Sequence, residues 1–283
     1  MSLWIFLIIV FATSLTAGLI GALVGIGGGI LIVPLLTIGF GIDIKYAIGA
    51  SIVCTIATSS GAAVAYLRDH IINLRAAMFL EVATTVGAIT GAFLTGIINP
   101  NFLYILFGAV MTVSAAAQVF KFGEELPRGV QSDKLALRLK LPSEYPDKRL
   151  GLVHYNVTRV PLGFGIMYVA GVLSGLLGIG SGVFKVLAMD SAMRMPMKVS
   201  STTSNFMIGV TAAASAGVYL GRGNVNPLLV APVAIGVLGG ALLGSRILPN
   251  MTNRAVRKLF VPILLLIAAQ MILKGFGVSI FGE

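Results

Sequence analysis

The sequence predicts an all-α integral membrane protein, a polytopic helical bundle of two inverted repeats of five segments each, with glycine-rich helix breaks. Three observations predict it: apolar runs long enough to cross a bilayer, an internal repeat at a shift of 153 residues, and the placement of lysine and arginine. Of the 283 residues, 57% are hydrophobic and 11% charged, against about a quarter charged in an ordinary soluble domain. Apolar runs of roughly 20 residues match a hydrocarbon layer about 30 Å thick when helical. Lipid offers backbone amides no partner, so helices are the spans to expect.

The repeat is read without a gap: Ala17 to Val33 (AGLIGALVGIGGGILIV) lies over Ala170 to Val186 (AGVLSGLLGIGSGVFKV). At the same shift Tyr66-Leu67 meets Tyr219-Leu220, Asn73 meets Asn226, Gly87 meets Gly240, Gly91 meets Gly244 and Lys121 meets Lys274. The expected segments are 3–24, 28–40, 46–67, 76–98 and 102–120 in the first half, and 160–177, 183–193, 199–220, 227–248 and 256–273 in the second. The short second segment of each half rises only about 16–20 Å, which suits a half-span or one arm of a re-entrant hairpin. The expected division is a first membrane repeat over 1–121, a cytoplasmic linker over 122–158 and a second membrane repeat over 159–283. Leu3 to Val24 has no basic residue before it, exceeds a signal-peptide core and lacks a clear cleavage site, so it is expected to be retained.

Orientation follows from the basic residues, whose formal excess of +10 lies in short breaks and the central link. That is a positive-inside pattern, and no nucleic-acid partner is implied. The link from Lys121 to Arg159 carries eight lysines and arginines and is placed in the cytoplasm. Arg68 and Arg75, Arg194 and Lys198, and Arg254, Arg257 and Lys258 then fall inside, while Asp43, Lys45 and Arg222 fall outside. This assignment has each half cross an odd number of times, which makes the repeats inverted with both termini outside the cytoplasmic membrane. Reading each glycine segment as one interrupted span would instead give parallel four-plus-four halves and put Arg194, Lys198 and the Arg254 cluster outside, against the charge bias. Within the link, Leu135, Leu137, Leu139 and Leu141 alternate with other residues, as do Val153, Tyr155 and Val157, which suggests a β-hairpin, with a short interfacial helix as the competing reading and a disordered linker as the third.

The sharpest motif is the pair of clusters Gly25-Ile-Gly27-Gly28-Gly29 and Gly178-Ile-Gly180-Ser181-Gly182. Consecutive glycines disfavour helix by about 1 kcal/mol each relative to alanine. Helices broken at matching positions of two repeats point to a transporter's binding site, and amides exposed at a break suit an anion. Close helix packing is the competing use, since Gly21 and Gly25, like Ser174 and Gly178, are small residues four apart. The third span of each half opens with polar residues, Ser51, Thr55, Thr58 and Ser59 in one and Ser200 to Asn205 in the other. Ser51, Thr55 and Ser59 share one helical face. Thr202 and Asn205 join the expected binding set, although hydroxyls bonding back to their own helix are the plainer reading.

Ionisable residues at membrane depth are Lys185, Glu81 and Asp190, each costly in hydrocarbon unless paired or hydrated. Lys185 is expected to attract an anion, and Glu81 or Asp190 to carry a coupling proton, with snorkelling to the cytoplasmic face as the alternative for all three. Catalysis is disfavoured: the two histidines, His70 and His154, fall in cytoplasmic loops, and there is no HExxH or P-loop motif. No cofactor or metal is expected. The single cysteine, Cys54, excludes an intramolecular disulfide.

With the duplicated glycine motif, the VPLL after its first copy (Val33 to Leu36) and the polar start of the third span, the chain resembles the TauE/SafE family of sulfite and organosulfonate exporters. The likeness covers roughly 1–121 and 159–275, and it departs where Ser181 replaces a glycine and Leu187 stands opposite Pro34, so that the local backbone is expected to differ. The resemblance implies a secondary transporter exporting a small anion, sulfite or a C2 or C3 organosulfonate, by alternating access. Its partners would be that anion, lipid and a proton or counter-ion, with homo-oligomerisation open. The alternative is an uptake permease or channel for another small solute.

Overall fold

The computed structural model describes residues 3–24, 29–68, 71–120, 127, 129–147, 151–247 and 253–278. In the first half, α1 (Leu3–Val24) is followed by α2 (Gly29–Pro34), which runs on as a π-helical turn (Leu35–Gly39). Then come α3 (Ile44–Arg68), α4 (Leu74–Ile97) and α5 (Pro100–Phe120). The second half repeats the order with α7 (Val160–Leu177), α8 (Gly182–Leu187) with its π turn (Ala188–Ala192), α9 (Met197–Gly221), α10 (Pro227–Ile247) and α11 (Asn253–Gly275). Local chemistry sets several ends. Asn73 caps α4 by accepting from the Ala76 amide, and Pro161 sits in the first turn of α7, where its missing N–H costs nothing. The two π turns occupy equivalent positions although one follows Pro34 and the other Leu187. The proline is therefore not their cause, and the expected local difference between the copies is not seen at this point.

Trp4–Gly21, Leu74–Ile97, Pro100–Ala117 and Val160–Leu177 are long and apolar enough to cross a membrane. On α4, Met78, Val82, Val86, Ile89, Phe93 and Ile97 are exposed. An apolar stripe that size on an outer face needs lipid rather than water.

The halves interleave. α1 runs along α10 and α4 along α7, while α3 packs on α9 and α5 on α11. Glycines allow backbone to meet backbone: Gly18 lies on the main chain of Val237 and Gly171 on that of Thr84, and Gly240 faces the Leu15 carbonyl as Gly87 faces that of Tyr168. Each contact is its partner shifted by 153 residues with the halves exchanged. The same contacts show direction. Thr84 pairs with Gly171 and Ala88 with Gly175, so α4 and α7 are parallel. Gly108 meets Ala268 and Ile272 while Gly275 meets Asn101, so the equivalent helices α5 and α11 are antiparallel; Gly49 at Asn224 and Gly209 at Ser59 make α3 and α9 antiparallel too.

The link differs in detail from the period-two reading. Residues 134–138 form a short helix, α6 (Lys134–Arg138), with Asp133 as its cap, and the hairpin pairs β1 (Ser143–Asp147) with β2 (Gly151–Tyr155) in antiparallel register, Tyr145 opposite Val153. The alternating leucines misled because a single helical turn is too short to display its own period. Ala136, Leu141, Tyr145 and Val157 share a buried core with Ala76, Leu80, Met189 and Met193. Asn73 ties the hairpin to α4, its Nδ2 donating to the Leu141 carbonyl and the Tyr155 hydroxyl, both at 2.8 Å. Burial pushes the Tyr155 phenol up to about 12, so it stays neutral and keeps this contact at physiological pH. Lys198 reaches Asp147 at 3.4 Å and lies over the Tyr145 ring.

Candidate functional site

The start of α2 and the interruption between α7 and α8 meet at the centre of the bundle. α7 ends at Gly178 with φ +67°, and Gly180 (φ +70°) and Ser181 (φ +45°) are also left-handed before α8 begins at Gly182. Three such residues within four cannot lie in a right-handed helix, so the glycines do break it. Of the first cluster, Gly25, Gly27 and Gly28 lie outside the described residues; Gly29 opens α2.

Ser51 of α3 joins the start of α2 to the end of α7. Its Oγ is 2.8 Å from the carbonyl of Gly29 and 2.8 Å from that of Gly178. The equivalent residue on α9, Ser204, donates to the Gly182 carbonyl at 3.1 Å. Gly29 lies against the hydroxyls of Thr55 and Ser51, Gly180 against Thr55 and Ile208, and Gly182 against Ile208 and Ser204. Gly29, Gly178, Gly180, Ser181, Gly182, Ser51 and Thr55 are thus brought together. Two hydroxyls there, Thr55 Oγ1 and Ser181 Oγ, are buried with no hydrogen bond among the described residues; their residues are 1% and 2% exposed. Leaving a buried hydroxyl unpaired costs about 1–3 kcal/mol.

Next to this junction lies a buried charge pair. Lys185 of α8 is fully buried, so it does not snorkel; its ammonium donates to the Met207 carbonyl at 3.2 Å and to the Thr211 hydroxyl. Thr211 in turn donates to Glu81 Oε1 at 2.7 Å, and Thr85 donates to the same oxygen at 3.3 Å. Glu81 is 9% exposed, and its Oε2 has no hydrogen-bond partner among the described residues. Asp190 is buried in the second π turn. Thr202 is not brought to the junction: it lies in the second turn of α9 on the face toward Ile71, and its hydroxyl turns back to the carbonyls of Lys198 and Val199, 3.0 and 3.1 Å away. Asn205 is half-buried on α9, one turn before Gly209, which packs on Ser59 of α3.

Sequence reading missed Thr211. The signal was present: Ser204, Met207, Ile208 and Thr211 follow the three- and four-residue spacing of one helical face. A lysine at that depth also needs acceptors on whatever helix it faces. The packing use of small residues is real as well, carried by Gly18, Gly171 and Gly175 before the breaks.

An apolar exterior around a buried, polar meeting point of α2, α3 and the broken α7–α8 helix defines a polytopic membrane protein of the transporter class. The chain belongs to the sulfite exporter TauE/SafE family, whose model matches residues 10–271. It is similar to the probable membrane transporter protein YunE of Bacillus subtilis (strain 168), 26% identical over 95% of this chain and 98% of the relative. It is similar also to the probable membrane transporter proteins YdhB, 26% identical over 89% and 92%, and YjnA, 25% identical over 92% and 97%, of the same organism. No solved structure matches significantly.

Proposed function

We propose that this protein is a secondary transporter that moves a small anion, sulfite or a C2 or C3 organosulfonate, across the cytoplasmic membrane by alternating access between two inverted repeats. The observation that carries the reading is a pair of buried hydroxyls, Thr55 and Ser181, with no hydrogen bond among the described residues, set where the start of α2 meets the break between α7 and α8, beside Lys185. Hydroxyl donors and a nearby ammonium are what a sulfonate's three oxygens require. Ser51 supports the glycine carbonyls, and Asn205 supplies a primary amide from the adjoining face of α9. Antiparallel packing of equivalent helices supports the inverted arrangement, since a two-fold axis in the membrane plane reverses each helix.

The moving units are best drawn across the repeats. Rocking residues 1–121 as a body against 159–283 would pull apart the backbone contacts of α1 with α10 and α4 with α7. Pairs such as α4–α7 move together instead, with the glycine breaks as hinges.

Purified protein in proteoliposomes is expected to show saturable counterflow of radiolabelled sulfite or ethanesulfonate. Flux should fall at least about tenfold, the worth of one well-made hydrogen bond to a charged group, in Thr55→Val. Well-folded protein carrying neither anion would remove the substrate assignment, and flux that never saturates would make it a channel.

A further inference from the structure

We propose that Lys185, Thr211 and Glu81 form a counter-charge relay between the repeats, in which one proton taken up by Glu81 accompanies each anion drawn to Lys185. The inference rests on the anion-transport reading and concerns how that site keeps its charge balanced.

Glu81 comes from α4 of the first repeat, and Lys185 and Thr211 come from α8 and α9 of the second. The ammonium and the carboxylate do not touch; Thr211 accepts from one, and its single proton is shared between the carboxylate at 2.7 Å and the Met207 carbonyl at 2.8 Å. Together they sum to no net charge, which is the condition for burying either in a bilayer. An anion that takes the Lys185 ammonium leaves Glu81 as a buried, uncompensated carboxylate. A proton on Glu81 cancels it, and Oε2, bonded to no described residue, is the atom open to receive one. No bond other than that to the proton is made or broken; the proton comes from water on the side from which the anion enters and leaves with it. Proton and anion therefore move in the same direction, and their gradients set the sense of net transport.

The device is single. At the 153-residue shift the three positions are Ile32, Thr58 and Ala234, so the repeat-related location keeps a hydroxyl and has no charge. The other titratable or charged groups around α4 are engaged elsewhere. On the helix itself, Arg75 donates to the Lys140 carbonyl. From α9, Lys198 reaches Asp147 and the Tyr219 hydroxyl donates to the Gly175 carbonyl, while Arg222, just past its end, caps the Ala92 and Phe93 carbonyls. Tyr168 is the one such group on α7 and is partly exposed; Asp190 is buried in the π turn that follows α8. The shared hydroxyl makes Thr211 a positioning residue: without it neither charge senses the other through a hydrogen bond.

The test is flux of radiolabelled ethanesulfonate, whose own charge is constant between about pH 6 and 8, in proteoliposomes of the full-length protein. Wild-type flux is expected to rise on acidification by up to about tenfold per pH unit, the limit for one bound proton. Glu81→Gln and Thr211→Val should flatten that profile, and Thr211→Ser should restore it. A pH profile in Glu81→Gln that matches wild type overturns the relay while leaving anion transport intact. Absence of any ethanesulfonate or sulfite flux in well-folded wild-type protein overturns the anion reading and the coupling together. Lys185→Met is expected to lose monodisperse protein on size-exclusion chromatography at about pH 8, where Glu81 is left as an uncompensated carboxylate, and to keep it at about pH 6, where a proton cancels that charge. The double variant Lys185→Met/Glu81→Gln should recover it at the higher pH. Failure of that recovery would overturn the pairing without reference to any substrate.

Discussion

Ser181 carries two penalties at one position. Its φ of +45° puts a side chain in a conformation that costs about 1–2 kcal/mol for a non-glycine residue, and its buried hydroxyl has no partner among the described residues. The first repeat has Gly28 at the equivalent place, where neither cost arises. In the proposed site both costs serve the anion, which would use the hydroxyl. Ser181→Gly is therefore expected to raise the thermal unfolding temperature while lowering anion flux, and Ser181→Ala to lower flux while keeping the strain; differential scanning fluorimetry and counterflow read the two. Equal flux in all three proteins would remove Ser181 from the site. The serine was visible in the sequence as a departure from the glycine motif. Its left-handed backbone was not, since φ depends on how the break is held by Ser51 and α3.

Among the helices, the decisive feature is the sharing of backbone surface between α4 and α7 and between α1 and α10. A Cβ placed on Gly171 would come 2.8 Å from the Thr84 Cα, and one on Gly18 would come 2.7 Å from the Val237 Cα. Main chain cannot move aside as a side chain can, so a larger residue pushes the helices apart. Gly165, on the same helix as Gly171, has nothing near it. Gly171→Leu is expected to abolish a monodisperse peak on size-exclusion chromatography, with a cost of about 1–3 kcal/mol or more, whereas Gly165→Leu should elute like wild type. Similar behaviour of the two would mean that these helices are not in close contact. The sequence marks small residues in pairs but does not say which helix each pair faces; that depends on the partner, two or more spans away along the chain.

For the whole molecule, the charge pattern and the helix directions make one prediction about sidedness. The hairpin and the α9 start it docks on are placed in the cytoplasm, and the turn between α4 and α5 outside. Cys54 is the only cysteine and is buried, so single reporter cysteines can be added to the native chain. Glu144→Cys should react with a membrane-impermeant maleimide only in inside-out vesicles, and Asn101→Cys only in right-side-out ones. Reversed labelling would turn the assignment over, and labelling of both from one side would dispose of the inverted arrangement. The linker adds an asymmetry to an otherwise repeated plan, because its core with Met189 and Met193 lies at one end of the bundle only.

The sequence by itself determined the class of fold, the helix positions, the 153-residue repeat and the location of the second helix break. These rest on hydropathy, self-similarity and glycine's backbone freedom, which are local properties written along the chain. It also picked out Lys185 and Glu81, because a charge at membrane depth is conspicuous wherever it occurs. Only the tertiary structure decided that these two share Thr211, that Ser51 touches both Gly29 and Gly178, that Thr202 faces away, and that the closest helix pairs join opposite repeats. Each is a meeting of residues more than 20 positions apart or a choice between faces of one helix. Such meetings are set by which backbones can approach closely enough to pack, and no single segment encodes them.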